Sequence, residues 1–304
     1  MGSEMCIRDR YTTAPVSEWL GSHVYAALGI PVHETVLGIR DGRIVCACRD
    51  FTFPDSRLVN FHDLKNSLSD DEPGFTEDAS TGSGVVLADV RSAIHRIPVL
   101  RSIDGVSDRF WDMFVVDAFI RNIDRNNTNW GVLRNPRGEF SLAPVYDNGN
   151  SFNNKRTDSG IERRLANPDL IRQDALDVRS CYVTDRGKPI APLKYLASGQ
   201  DEECTKALDR FMERYDPRSF HDLLGSIPSM SHGLTVVPDG FHEYHRRVCD
   251  YRYEHAFMEA WRDLHPTVGV PSSPEASVPE PLPDPDPSVL PSSSVPTCFD
   301  GPGM

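Results

Sequence analysis

The chain has 304 residues, 39% of them apolar, enough for one large or two ordinary cores. Its 45 Asp and Glu against 32 Lys and Arg leave a net charge of -13, which argues against nonspecific nucleic-acid binding, because phosphate contacts need clustered cations. Seven cysteines without C-x-x-C or metal-finger spacing read as the reduced thiols of a cytosolic protein, and no apolar run approaches the roughly 20 residues of a membrane-spanning helix.

Residues 1–10, MGSEMCIRDR, have neither the apolar core of a signal peptide nor helical periodicity, and they read as a non-native leader. Ser17 can cap a helix whose apolar positions Leu20, Val24, Ala27 and Leu28 recur at helical spacing and end at Gly29 and Pro31. Apolar runs over 32–39 and 43–48 flank Arg40-Asp41-Gly42, which predicts a tight hairpin. The polar passage 52–60 reads as a connector, followed by a short helix over 61–68 and an acidic loop over 69–78. Ser80-Thr81-Gly82-Ser83-Gly84 invites a phosphate loop, since glycines let backbone N–H groups approach an anion. No Walker lysine follows, and helix capping ahead of the stripe Leu87, Val90, Ile94, Ile97 is the preferred reading.

Ser107 or Asp108 can cap the next helix. Its apolar surface, Phe110, Phe114 and Ala118 beside Trp111, Val115 and Phe119, is broad enough for a helix packed in the middle of a lobe. Strands over 130–133 and 139–142 flank the strong turn Asn135-Pro136-Arg137-Gly138, so a hairpin joins the loop at Asp124 to the loop at Asp147. Residues 152–166 are polar and suggest a flexible segment over a cleft mouth. Helices are expected around Ala207, Leu208, Phe211 and Met212, and from Phe241 to beyond Met258. From Pro266 prolines and serines dominate, which predicts a disordered tail.

The hairpin should bring Asp124, Asn129 and Asp147 together. Phosphoryl transfer needs one carboxylate to orient or deprotonate the attacking hydroxyl, and hard oxygen ligands to hold magnesium on the phosphates. D-x-x-x-x-N, a hairpin and then Asp is the order protein kinases use, which makes Asp124 the base and Asn129 and Asp147 the magnesium ligands. The competing reading is that all three shape turns, because Asp and Asn bond their own backbone and tolerate unusual dihedrals. Arg125 and Asn126 read as structural or electrostatic, and Asn148 and Gly149 as loop-shaping. No G-x-S-x-G elbow is present. His242 and His245 share a helix, where ordinary surface or core histidines are favoured over metal ligands.

The segment from Trp111 through Asn122-Ile123-Asp124-Arg125 and Asn129-Trp130-Gly131, then Leu142-Ala143-Pro144-Val145-Tyr146-Asp147-Asn148-Gly149, resembles the core of the HipA-like kinase family, especially its CtkA-like branch. Val16-Ser17-Glu18, His33-Glu34-Thr35-Val36-Leu37-Gly38 and Cys46-Ala47-Cys48-Arg49-Asp50-Phe51 resemble the same branch. The resemblance implies an α+β, two-lobed protein-kinase-like fold with ATP and Mg2+ in the cleft, acting on protein Ser/Thr. It implies an antitoxin-type partner or a secreted-effector role for some members; the acidic charge balance, separately, leads us to expect no direct nucleic-acid binding. By it, residues Cys48, Asp50 and Phe51 form the hinge beside adenine, and Glu18 is the helix carboxylate that pairs with a nucleotide-binding lysine. The family carries that lysine on a strand before the Ser17 helix. Here only residues 11–16 precede it, without lysine, so the chain reads as N-terminally incomplete. The implied organisation is a partial N-terminal lobe over 11–52, a mainly helical C-terminal lobe over 53–265 and the tail over 266–304. A noncatalytic kinase-like binding module and a small-molecule phosphotransferase on the same fold are the alternatives.

Overall fold

The computed structural model describes residues 12–69 and 84–266. The leader, most of the acidic loop, the glycine run before Gly84 and the proline-rich tail lie outside them. Helix α1, Ala14–Ala27, starts a turn before Ser17, with Pro15 in its first turn. Ser17 is therefore not a cap: it is fully buried and donates its hydroxyl to the Ser151 carbonyl at 3.1 Å. Strands β1, Thr35–Arg40, and β2, Arg43–Cys48, form the expected hairpin, in register from Thr35 opposite Cys48 to Arg40 opposite Arg43. Asp41 and Gly42 both have positive φ, 51° and 70°, which matches the twist of a two-residue hairpin turn.

The passage expected to be a connector contains a third strand, β3, Arg57–Asn60, which pairs antiparallel with the strand that leaves the Asp124 loop. Its apolar content is only Leu58 and Val59, too short a pattern for periodicity to expose. Helix α2, Phe61–Ser69, follows and stacks Phe61 on Trp130 with ring centroids 4.1 Å apart. Strand β4, Val85–Val86, leads into α3, Leu87–Arg96, which buries Leu87, Val90 and Ile94 as predicted, and then the single turn α4, Pro98–Arg101.

Helix α5, Val106–Ile120, is the centre of the molecule, and residues 114–120 are buried without a break. It starts at Gly105, whose φ of 77° reverses the chain, rather than at a side-chain cap. Ser107 instead donates to Glu203 at 2.7 Å, and Asp108 meets Arg210 at 3.1 Å. Strands β5, Gly131–Arg134, and β6, Phe140–Leu142, complete a three-stranded sheet in the order β3-β5-β6. A Cβ on Gly131 would meet the Val59 carbonyl at 2.2 Å, so only glycine lets β3 close on β5 here.

The polar stretch after Phe152 is not an open segment. It forms α6, Asp158–Leu165, capped by Thr157 and packed on α7, Pro168–Leu176, through Ile161. Two of its charges, Arg164 and, just before the helix, Arg156, share the carboxylate of Asp174. The rest is helical apart from β7, Tyr182–Val183, parallel to β4, and a small ribbon. Helices α8, Pro192–Ser198, α9, Glu202–Arg214, and α10, Pro217–Gly225, precede that ribbon, β8, Met230–Ser231, with β9, Leu234–Thr235. The last helix runs as α11, Phe241–Arg252, a π turn over Tyr253–Phe257, and α12, Met258–Leu264. One apolar cluster joins α1, α5, α9 and the π turn through residues such as Leu20, Phe119, Phe211 and Phe257. Burial of aromatic groups of this size is the main source of stability. No helix among the described residues is long and apolar enough to cross a membrane.

Candidate active site

The site grows from one charge inside the apolar helix α5. Asp117 is 5% exposed and would be very costly there without partners. Its carboxylate accepts from Arg125 Nε at 2.8 Å and Nη2 at 3.2 Å, and from the Tyr25 hydroxyl at 2.8 Å. Arg125 spends its remaining donors on the loops: the Asn129 carbonyl at 2.9 Å, the Asn148 side-chain oxygen at 2.6 Å, and the Tyr146 carbonyl. Burial works against the charge of Arg125, but Asp117, Tyr25 and Asp147 together outweigh it and hold the guanidinium protonated above its usual range. One cation thus binds both loops to α5.

This cross-link, with the β5–β6 hairpin, brings Asp124, Asn129 and Asp147 into one neighbourhood. The Asp124 carboxylate accepts one amide bond from Asn126 and one from Asn150, both at 2.9 Å, so each oxygen has a fixed direction. Asn129 donates its amide N–H to the Asp124 backbone carbonyl at 2.8 Å. Among the described residues its Oδ1 accepts from the Thr128 hydroxyl alone, at 3.2 Å. Asp147 sits at φ 58°, a left-handed conformation that Asp tolerates better than most residues. Its carboxylate has no hydrogen-bond partner among the described residues. Burial, reinforced by the nearby Glu18 and Asp124 charges and opposed by Arg125, pushes its pKa up to about 6. Donor oxygens of this kind, one amide and one desolvated carboxylate, suit a hard divalent cation such as Mg2+.

The expected nucleotide side divides. Glu18 is 7% exposed and close to Asp147, yet its two oxygens are occupied: Oε1 lies 2.8 Å from His33 Nε2, and Oε2 accepts the Asn148 N–H at 2.8 Å. Its partner among the described residues is a histidine, where a lysine was expected. His33 is held there because its N–H bonds the Val145 carbonyl at 2.9 Å, which ties the segment before β1 to the segment before Asp147. Phe51 lies against Tyr146 with centroids 5.6 Å apart and so borders the Asp147 loop. Cys48 belongs to the same neighbourhood; the Cys46 thiol beside it draws its pKa down to about 7, against burial, while Cys46 moves up. Asp50 stands apart. It is exposed and caps its own turn, accepting from the Thr52 N–H at 2.8 Å and the Thr52 hydroxyl at 2.6 Å.

Sequence reasoning missed Asp117, Tyr25, Asn150 and His33. A single Asp inside the apolar run from Phe114 to Ile120 was the available signal for the first. His242 and His245 form no metal pair: His242 Nε2 lies 2.8 Å from the Ile227 carbonyl. His245 is buried against the rings of Phe152, Phe241 and Tyr244, and burial pushes its pKa down to about 3.

A mixed helix and sheet fold that presents two carboxylates and an amide from loops at either end of one hairpin defines a kinase-like protein. The comparisons agree. Serine/threonine-protein kinase CtkA of Helicobacter pylori strain J99 is 33% identical over 223 residues, which is 73% of this chain and 66% of that protein. The chain belongs to the HipA-like kinase family, in its CtkA-like branch. A crystal structure of the Helicobacter pylori proinflammatory kinase CtkA aligns with a TM-score of 0.74 at 29% identity, covering 84% of this chain and 89% of that one. In the Shewanella oneidensis MR-1 toxin-antitoxin complex of HipA, HipB and operator DNA, one chain aligns with a TM-score of 0.48 at 14% identity, over 84% of this chain and 58% of that one. No family model matches the chain. The chain spans just under two thirds of the length of the curated relative.

Proposed function

We propose that the protein transfers a phosphoryl group from ATP to Ser or Thr hydroxyls of a protein substrate, in a cleft between a small lobe over 11–52 and a larger one over 53–265. The observation that carries this reading is the half-buried Asp147 carboxylate, without a hydrogen-bond partner among the described residues and near the doubly oriented Asp124. Asp147 and the Oδ1 of Asn129 would hold Mg2+. Bound ATP and Mg2+ supply the transferable phosphoryl group and neutralise its developing charge. Asp124, aimed by Asn126 and Asn150, orients the acceptor hydroxyl and takes its proton on a carboxylate oxygen. Arg125 keeps the two loops at a fixed separation through its bonds to the Asn129 and Tyr146 carbonyls. Cys48 and Phe51 border the base of the nucleotide, with Asp50 shaping the turn that follows, and Glu18 fixes the Asp147 loop through the Asn148 N–H. The antitoxin-type partner rests on the family resemblance alone.

One observation favours a second reading, a nucleotide-binding module without transfer. Glu18, the expected partner of a phosphate-binding lysine, is occupied by His33. Radiolabelled ATP with a protein acceptor separates the two. Label on protein from the unsubstituted chain, lost in Asp124→Ala and Asp147→Ala, supports transfer. ATP binding without labelling supports the module, and label on small molecules alone redirects the acceptor class.

A further inference from the structure

The pair Glu18 and His33 is part of a larger constellation. A carboxylate oxygen of Glu18, a ring nitrogen of His33 and the Cys48 thiol sulfur all lie within 4.8 Å of one another. Glu18 and His33 are each 7% exposed, whereas Cys48 is exposed, so two ligand atoms are rooted in the interior and the third closes the group from the solvent side. The three come from separate elements, α1, the segment before β1, and the end of β2, and the His33–Val145 backbone bond holds the second in place. Tetrahedral zinc with metal–ligand bonds of about 2.0–2.3 Å needs ligand atoms roughly 3.3–3.8 Å apart. Glu18 Oε1 and His33 Nε2, hydrogen-bonded at 2.8 Å, would part by about half an ångström to admit such an ion, and the Cys48 sulfur lies within 4.8 Å to complete the group.

Thr35 supplies an independent observation. It faces Cys48 directly across the β1–β2 ladder, so the two side chains share one face of the hairpin. Thr35 is 7% exposed, and its hydroxyl lies by the Cys46 thiol, two residues along the same strand from Cys48. A donor beside a metal-bound thiolate is the usual outer support of such a ligand.

We infer that Glu18, His33 and Cys48 form a binding site for a zinc-class divalent cation, with three protein ligands and one open position. A thiolate, an imidazole and a carboxylate select a borderline-soft ion over Mg2+ or Ca2+, which take oxygen ligands. The site is thus chemically distinct from the proposed magnesium ligands Asn129 and Asp147. It is coupled to them, because Glu18 would give Oε1 to the cation while Oε2 stays on the Asn148 N–H beside Asp147.

The test uses the full chain, kept reduced, with Co2+ and Zn2+ as probes and no ATP or acceptor, so that its outcome is read separately from phosphoryl transfer. Co2+ should produce a thiolate-to-cobalt charge-transfer band that one equivalent of Zn2+ removes. The band should vanish in Cys48→Ser, change shape in His33→Gln and survive in Cys204→Ser. On the unsubstituted chain, Zn2+ should also shield Cys48 from alkylation, read by peptide mass spectrometry, which guards against a variant that folds poorly. Absence of the band at saturating Co2+, its persistence in Cys48→Ser, or undiminished alkylation of Cys48 in saturating Zn2+ overturns the site.

Discussion

Two aspartates that lie near the same arginine in space have opposite surroundings. Asp117 is buried in α5 and fully engaged by Arg125, Tyr25 and Asn122. Asp147 is half-buried with no hydrogen-bond donor to its carboxylate among the described residues, and that burial pushes its pKa up to about 6. The first carboxylate is used up holding the structure together, and the second is left for something that arrives. Residue type does not separate the two; partner saturation does.

The sharpest way to break that contrast is at the saturated aspartate. Asp117→Ala strands Arg125 as a buried unpaired cation and should cost about 3–5 kcal/mol, read as a lower midpoint in urea unfolding. Asp124→Ala should leave that midpoint nearly unchanged while phosphoryl transfer falls by roughly 10²–10⁴-fold, the range expected for a positioned proton acceptor. Gly131→Ala affects both regions at once, since its Cβ would strike the Val59 carbonyl at 2.2 Å; overpacking of this kind should cost about 1–3 kcal/mol and weaken transfer as the hairpin is displaced.

The partnerless aspartate gives a pH test. A carboxyl whose folded pKa is raised contributes stability below its unfolded pKa and loses it as pH climbs through the folded value. The window therefore runs from 3.8 to about 6. Asp147→Asn removes the penalty and should stabilise the protein by ~1–3 kcal/mol at pH 8, with no gain at pH 4, measured by thermal melts across that range. A destabilised Asp147→Asn at pH 8 would place this residue with Asp117 as a structural group. The smallest effect belongs to the surface. Arg49 and Glu34 meet at 2.9 Å but are mostly exposed, and Glu34→Ala should change stability by less than about 0.5 kcal/mol.

What was legible in the sequence follows from range. Asp124, Asn129 and Asp147 were readable because the Asn135-Pro136-Arg137-Gly138 turn is a local signal and a hairpin converts it into proximity. The β1–β2 hairpin and the α5 stripe were readable for the same reason. Strand β3 was missed because its pairing to β5 joins residues more than 70 positions apart and its own pattern is four residues long. The segment that forms α6 was read as flexible because Arg156 and Arg164 look solvated until Asp174 is placed beside them. Helix α1 was found but started late, since Pro15 opens it and Ser17 faces inward. The partner of Glu18 could not be read at all. His33 is brought to it by the pairing of its segment with Val145, a contact between segments more than 100 residues apart.

The Arg125 cross-link has one more consequence. Because the guanidinium grips the Asn129 carbonyl on one side of the hairpin and the Tyr146 carbonyl on the other, the spacing of the two loops is set at the hairpin's base. The exposed tip at Pro136 and Arg137 has no part in it. The tip is thus an insertion port: extra sequence, a reporter peptide or a chain break introduced there would ride on the protein without altering the distance between Asp124 and Asp147.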